Sequence, residues 1–281
     1  MKRSSATSEY QLRLELLGPL ALRCNGVDLA PSAPRLRAVL SLLALNGNRV
    51  VTPSMFLREI SPPIGSRNTL QTYIFHLRKL FEKSLERSSE YVAREVLLTH
   101  ADGYLLCTDS FEFDISEFEQ LVEAGNAALD DRDFVGAVPL LNNALALWRG
   151  PITEAWSLGT QAHAHATRFE ELRFRALIAC IEANLCLGRH HEMVSELASL
   201  VVEYPLQQTV HAMFMLALHR SERTSGALAV FRRLSARMRE ELGIEPSPRL
   251  QALHQALLAP DPVLTVHHRR LEELFGAITV A

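Results

Sequence analysis

The chain has 281 residues, 48% of them hydrophobic and 22% charged, which suits two domains with separate cores and excludes a disordered tail. Its net charge of −3 conceals an asymmetry: residues 1–108 carry 14 Lys/Arg against 9 Asp/Glu, whereas residues 109–281 carry 15 against 23. A basic front and an acidic rear suit different partners. The N-terminal Met1–Thr7 lacks the apolar core of a signal peptide, and no stretch reads as a membrane span. Cys24, Cys107, Cys180 and Cys186 never form C-x-x-C and read as apolar filling in a reducing cytoplasm.

In chain order, Leu12, Leu14 and Leu16 alternate with Arg13 and Glu15, which predicts a strand with the charged pair on its solvent face. Asn25-Gly26 turns the chain toward Val27-Asp28-Leu29, giving a small antiparallel sheet. A helix follows from Pro34, striped by Leu36, Val39, Leu40, Leu43 and Ala44 and ended by Asn46-Gly47. Thr52-Pro53 opens a second helix running to about Ile60, and the prolines of Ser61–Gly65 force a loop. A third helix spans about Arg67–Glu86. Val96-Leu97-Leu98-Thr99 and Gly103–Leu106 then predict a hairpin around the turn His100–Gly103.

After about residue 110 strand signals cease, and about seven helical stripes follow with mostly short connections. Similar turns recur: Arg132-Asp133-Phe134 before Ala137, Arg189-His190 before Met193, and Arg223-Thr224 before Ala227. Their spacings are 56 and 34 residues, and 34 is the tetratricopeptide period. The first interval therefore holds about 22 extra residues, placed around Gly150-Pro151.

On the third helix, 100° per residue puts Leu70, Ile74, Leu77 and Phe81 on one buried face. Opposite lie Asn68, Thr72, Phe75, His76, Lys79 and Lys83, flanked by Arg67, Thr69, Tyr73 and Arg78, with no carboxylate among them. Such a face suits base edges and phosphates in a DNA major groove. A plain solvated face would read similarly, but an exposed Phe75 beside His76 speaks for a partner that covers it.

Together these features resemble the Streptomyces antibiotic regulatory protein family, small type. The matching stretches are Leu16-Leu17-Gly18-Pro19-Leu20, Arg67–Tyr73, His76–Leu80, Gly103–Leu106, Ala144–Pro151, Leu187–His190 and Glu240–Pro246. The resemblance implies an α+β winged helix-turn-helix domain followed by an all-α tetratricopeptide-like helical repeat domain. The implied division is an OmpR-type DNA-binding domain over 1–110, a bacterial transcriptional activation domain over 111–261 and a tail over 262–281.

It also implies a transcriptional activator of a secondary-metabolite gene cluster that binds direct repeats near the −35 element as a homodimer. Such an activator recruits RNA polymerase through sigma factor region 4, in the cytoplasm at the nucleoid. The residues carried over are Arg67, Asn68, Thr69, Thr72, Tyr73, His76, Arg78 and Lys79 on the recognition helix, with Tyr104 on the wing. Two departures stand out: His76 where the family usually has arginine, and Glu59-Ile60 where it has Trp-Gly, just before a loop that touches polymerase in OmpR-type proteins.

No G-x-x-x-x-G-K-[ST], H-E-x-x-H or G-x-S-x-G is present, so neither enzyme activity nor a cofactor is expected. The pairs His163/His165, His190-His191 and His267-His268 lack a second ligand set at a metal-site spacing. The alternative reading is a tetratricopeptide adaptor that keeps a vestigial winged helix.

Overall fold

The computed structural model describes residues 12–60, 67–152 and 158–259, with Leu264 and Arg270. The expected loop at 61–65 and most of the stretch 262–281 lie outside them. The chain forms two compact units: one draws on residues up to Gln120 together with Ala144–Arg173, the other on Leu121–Asn143 and residues from Phe174 onward.

In the first unit, β1 (Leu12–Glu15) pairs antiparallel with β2 (Ala21–Cys24), which pairs with β3 (Val27–Asp28). Asn25 and Gly26 both take positive φ, 49° and 82°, the two-residue turn whose twist matches a hairpin. α1 (Pro34–Leu45) is buried along its whole second half, more than its stripe predicted. α2 (Pro53–Glu59) starts where expected, with the Thr52 hydroxyl accepting from the Met55 amide at 3.3 Å.

α3 (Arg67–Leu85) is followed by a short α4 (Ser89–Tyr91) and a π-turn over Val92–Val96, neither foreseen from periodicity. The hairpin forms from β4 (Leu97–His100) and β5 (Gly103–Leu106), with His100 opposite Gly103, while Val96, expected in the first strand, ends the π-turn instead. Val51 bridges to Tyr104 on the other side of β5. A Cβ on Gly103 would sit 2.2 Å from the Val51 carbonyl oxygen, so this approach requires glycine.

Strand signals do not cease at residue 110. β6 (Glu112–Phe113) pairs in parallel with β1 and completes the order β3-β2-β1-β6. Two residues are too few to show a period. α5 (Asp114–Asp130) begins directly after it. The Asp114 carboxylate is buried and accepts from the Leu16 amide at 2.8 and 2.9 Å and from the Leu17 amide at 2.8 Å.

Arg149 closes the same corner. Its amide donates to the Leu17 carbonyl at 2.8 Å, Nη1 donates to the Pro19 carbonyl at 2.9 Å, and Nη2 lies 3.9 Å from Asp114. Glu15, expected in solvent, is buried, because Arg13, Arg23 and Arg149 reach its carboxylate at 3.0, 3.1 and 3.3 Å. The Leu16–Leu20 and Ala144–Pro151 stretches, remote in sequence, thus meet at one point.

The remaining helices are α6 (Phe134–Ala146), α7 (Thr160–Cys186), α8 (His190–Glu203), α9 (Gln208–Arg220), α10 (Thr224–Leu242) and α11 (Pro248–Leu258). The recurring turns of the second unit share one hydrogen-bond pattern. Asp133, Arg189 and Arg223 each donate an amide five residues back, to Ala128, Asn184 and Leu218, at 2.8, 3.1 and 2.8 Å. The residues just before them, Arg132, Gly188 and Glu222, take φ of 61°, 79° and 60°. This is the Schellman closure of a helix, and it recurs at the predicted 56- and 34-residue spacings.

The extra residues were placed only partly correctly. Part lies in the segment joining α6 to α7, but most lengthens α7 itself, 27 residues against 13 for α9. Behind the turns, α8 to α11 enclose a core that includes Leu197, Met213, Leu216, Val230, Leu234 and Leu253. From the stretch expected as a tail, the Leu264 carbonyl accepts from Arg220 Nε at 2.9 Å, and Arg270 pairs with Asp130 at 2.6 Å.

Burial pushes the Asp114 carboxyl up to about 6, against the pull of the Leu17 and Leu16 amides and of Arg149. The folded chain therefore holds this proton more tightly than the unfolded chain does. The contribution to stability is fullest below about pH 4 and is lost as pH rises through about 6. We predict that, relative to Asp114→Asn, the wild type gains up to about 3 kcal/mol between pH 7 and pH 4. Denaturant melts of both proteins across that range test this, and parallel pH profiles would refute it.

Candidate nucleic-acid interface

α3 buries the predicted face: Leu70, Ile74, Leu77 and Phe81 are all in the core. Asn68, Thr72, Phe75, His76 and Lys79 are exposed, while Thr69, Tyr73 and Arg78 are half-buried on the flanks. The Arg67 side chain lies outside the described residues. Gln71, not singled out from the sequence, is also exposed, and its position three residues after Asn68 and four before Phe75 would have found it.

Phe75 is the most exposed aromatic of this helix at 55%. The Lys79 ammonium stands 5.8 Å from its ring centre, and the His76 ring meets it edge-on at 5.8 Å. The Thr72 hydroxyl donates to the Asn68 carbonyl at 3.0 Å, and its oxygen keeps acceptor capacity. Glu82 comes within 2.6 Å of Lys79, so the cationic face is not carboxylate-free one turn further on. Hydrogen bonds from Lys79 and Ser89 hold that carboxyl below its ordinary range.

Arg78 and Tyr104 stand at the base of the wing. Arg78 Nε and Nη2 both donate to the Leu97 carbonyl, at 3.0 and 2.7 Å, and Nη2 also donates to the Thr99 hydroxyl at 2.8 Å. The Tyr104 ring packs edge-on against Phe56 at 6.4 Å, and its backbone exchanges two hydrogen bonds with Val51. Arg78 thus fixes the hairpin on α3, and Tyr104 fixes it on α2. Between helix and hairpin lies a cleft of about 630 Å³, lined by Gln71, Thr99, His100 and Tyr104, with Thr52 and Ser54 beside them. Hydroxyl, amide and imidazole groups therefore converge where α3 meets the wing.

Glu59 and Ile60, the second departure from the family pattern, have a structural use. The Glu59 side chain is buried and accepts from the Gln161 amide at 2.9 Å and the Ala162 amide at 3.4 Å, in the first turn of α7. Arg58 pairs with it at 3.1 Å. Ile60 bridges to Leu158, and a Cβ on Gly159 would lie 2.9 Å from the Glu59 backbone. A carboxylate at a helix N-terminus satisfies amides that have no partner within the helix. A contact across 102 residues leaves no local signal.

Among the described residues no group of His, Cys, Asp and Glu could hold a metal ion, and no helix is long and apolar enough to cross a membrane. His267-His268 lies outside them.

Residues 113–258 match the family model described as bacterial transcriptional activator domain. The regulatory protein DnrI of Streptomyces peucetius is 39% identical over 254 residues, covering 89% of this chain and 93% of DnrI. The chain belongs to the Streptomyces antibiotic regulatory protein family. The transcriptional regulator RedD of Streptomyces coelicolor is 32% identical over 258 residues, covering 91% of this chain and 73% of RedD. Among solved structures, Mycobacterium tuberculosis EmbR superposes with a TM-score of 0.84 at 28% identity, covering 97% of this chain and 70% of EmbR. Like these relatives, this family member is a transcriptional regulator, with a winged-helix front and a tetratricopeptide-like rear.

Two substitutions on α3 test the reading of its face. Lys79→Ala should weaken binding to all DNA alike and flatten the salt dependence by about one unit, as for one lost phosphate contact. Mobility-shift titrations at several salt concentrations check it; unchanged affinity and slope mean that Lys79 serves only Glu82 and Phe75. His76→Arg should change base preference more than total affinity, by roughly 1–3 kcal/mol at one position, because arginine supplies the two-donor fork that reads guanine. Selection from randomised DNA gives the readout, and identical preferences for both proteins would count against it.

Proposed function

We propose that this protein is a non-enzymatic, sequence-specific activator that reads DNA with α3 and lays the β4–β5 wing beside it. Asn68, Gln71, Thr72 and His76 face the base edges. Lys79 and the remaining donors of Arg78 meet phosphate, joined by Arg67, Thr69, Tyr73 and Tyr104 at the margins. What supports this most is the exposed α3 stripe, which keeps an aromatic ring, amides, hydroxyls and a cation beside a hairpin braced by Arg78.

In this reading residues 1–110 supply the DNA contacts, and residues 111–261 supply contacts to RNA polymerase and sigma factor region 4. The acidic balance of the rear makes it a poor DNA ligand, which favours protein contact as its work. The setting is the cytoplasm, at the nucleoid, and the target is a secondary-metabolite gene cluster.

One winged helix reads few base pairs, so specificity calls for two protomers on direct repeats about one helical turn apart, near the −35 element. A head-to-tail pair matches direct repeats, whereas a twofold dimer matches palindromes. Inserting about five base pairs between the repeats places the second site on the opposite DNA face and should abolish cooperative binding. Footprinting titrations on the two promoters decide this; cooperativity that survives the insertion rules the arrangement out. DNA binding insensitive to salt would instead favour the adaptor reading.

A further inference from the structure

The first compact unit contains a cavity of about 460 Å³ that plays no part in the DNA contacts above. It opens between the loop after α1, the first turns of α5 and the second and third turns of α7. Its floor includes Leu45, Ile115 and Phe169, all buried. Its rim carries Arg49, His165 and Arg168. Arg168 spans to Glu119 at 2.7 Å across an exposed edge and lies 4.9 Å from the Phe169 ring. Among the described residues Arg49 has no carboxylate partner.

Two guanidinium groups thus stand against one carboxylate, and the third cationic candidate on the lining is the His165 imidazole. The excess is about one positive charge above an apolar floor. That combination fits a single negative charge attached to an apolar body. A free phosphate has no body to cover the floor, and a neutral apolar molecule leaves the cations unanswered. The volume lies within the range of small-molecule sites.

We propose that this cavity binds a small organic carboxylate, its charge held between Arg49, His165 and Arg168 and its apolar body resting on Leu45, Ile115 and Phe169. Because α1, α5 and α7 all contribute to the lining, an occupant ties three separate stretches of the chain together and stabilises the unit that carries the winged helix. Burial, then the charges of Arg168 and Arg49, hold His165 below its ordinary range. A bound carboxylate reverses that balance, so binding takes up a proton at His165 and strengthens as pH falls. The charged groups facing His165 are Arg49 from the α1 loop, Glu119 from α5 and Arg168 from α7.

The test uses the full chain and 1-naphthoate as probe, with inorganic phosphate and the neutral 1-naphthalenemethanol as comparisons, read by calorimetry and by thermal shift. Naphthoate should bind saturably at one site, raise the melting temperature, and bind at least about tenfold more tightly than either comparison. Arg49→Ala and Arg168→Ala should each weaken it about tenfold or more, as for loss of a charge-assisted hydrogen bond. Arg35→Ala, on the exposed start of α1, should not. His165→Gln should remove the tightening between pH 8 and pH 6. Both cavity arginines are exposed, so the variants keep the fold, and unchanged melting temperatures without ligand verify that. The proposal is overturned if millimolar naphthoate gives no saturation, if phosphate binds equally well, or if Arg35→Ala weakens binding as much as the cavity variants do.

Discussion

The first unit depends on a carboxylate that serves two backbone amides. β1 ends at Glu15, and the chain must turn through Leu16-Leu17-Gly18 inside the protein, where the Leu16 and Leu17 amides have no strand partner. Asp114, just after β6, satisfies both, and Arg149 covers the carboxylate and takes up the Leu17 and Pro19 carbonyls. A buried amide without an acceptor costs about 1–3 kcal/mol, so losing this one side chain would cost several interactions at once. The parallel β1–β6 pairing, the edge-on Phe118–Trp148 contact at 5.6 Å and the Glu15 cluster all lie around it.

The interface obeys a similar economy of charge. Arg78 lies on the α3 flank proposed to meet phosphate, yet much of its fork is committed to the Leu97 carbonyl and Thr99. That commitment sets the angle of the hairpin to α3, since two parallel donors on one carbonyl tolerate little rotation. Lys79 is held by Glu82 and by the Phe75 ring. A partner that takes up Lys79 must displace the Glu82 pair, in which the Lys79 side chain is 52% exposed and the Glu82 side chain only 16%.

Much of this was legible in the sequence because it is periodic or local. The α3 stripe of Leu70, Ile74, Leu77 and Phe81, the Thr52 cap and the Asn25-Gly26 turn are each set by neighbours within a few residues. So are the recurring turns, since a Schellman closure needs only the last residues of a helix and one left-handed position. What escaped notice was long-range. Glu15 looked solvent-facing because its partners Arg23 and Arg149 are not in its own strand. Glu59 gave no sign of a capping role because the amides it caps lie at 161 and 162. Arg78 passed for a flank residue free to reach DNA because its acceptors sit on the hairpin, 19 and 21 residues away.

The discontinuity of the first unit bears on how the protein is made. Glu59 finds its acceptor role only when Gln161 and Ala162 exist, and the Leu17 carbonyl waits for Arg149. At ribosomal speeds of about 5–20 residues per second, roughly 5–20 s separate synthesis of Glu59 from synthesis of the helix it caps. Through that interval the nascent winged helix lacks the Glu59 contacts, although β6 can pair with β1 once residue 113 has been made. The closing contacts of the N-terminal part therefore wait for residues 149–162. The full set of contacts in the first unit becomes available only once more than half of the chain has been made.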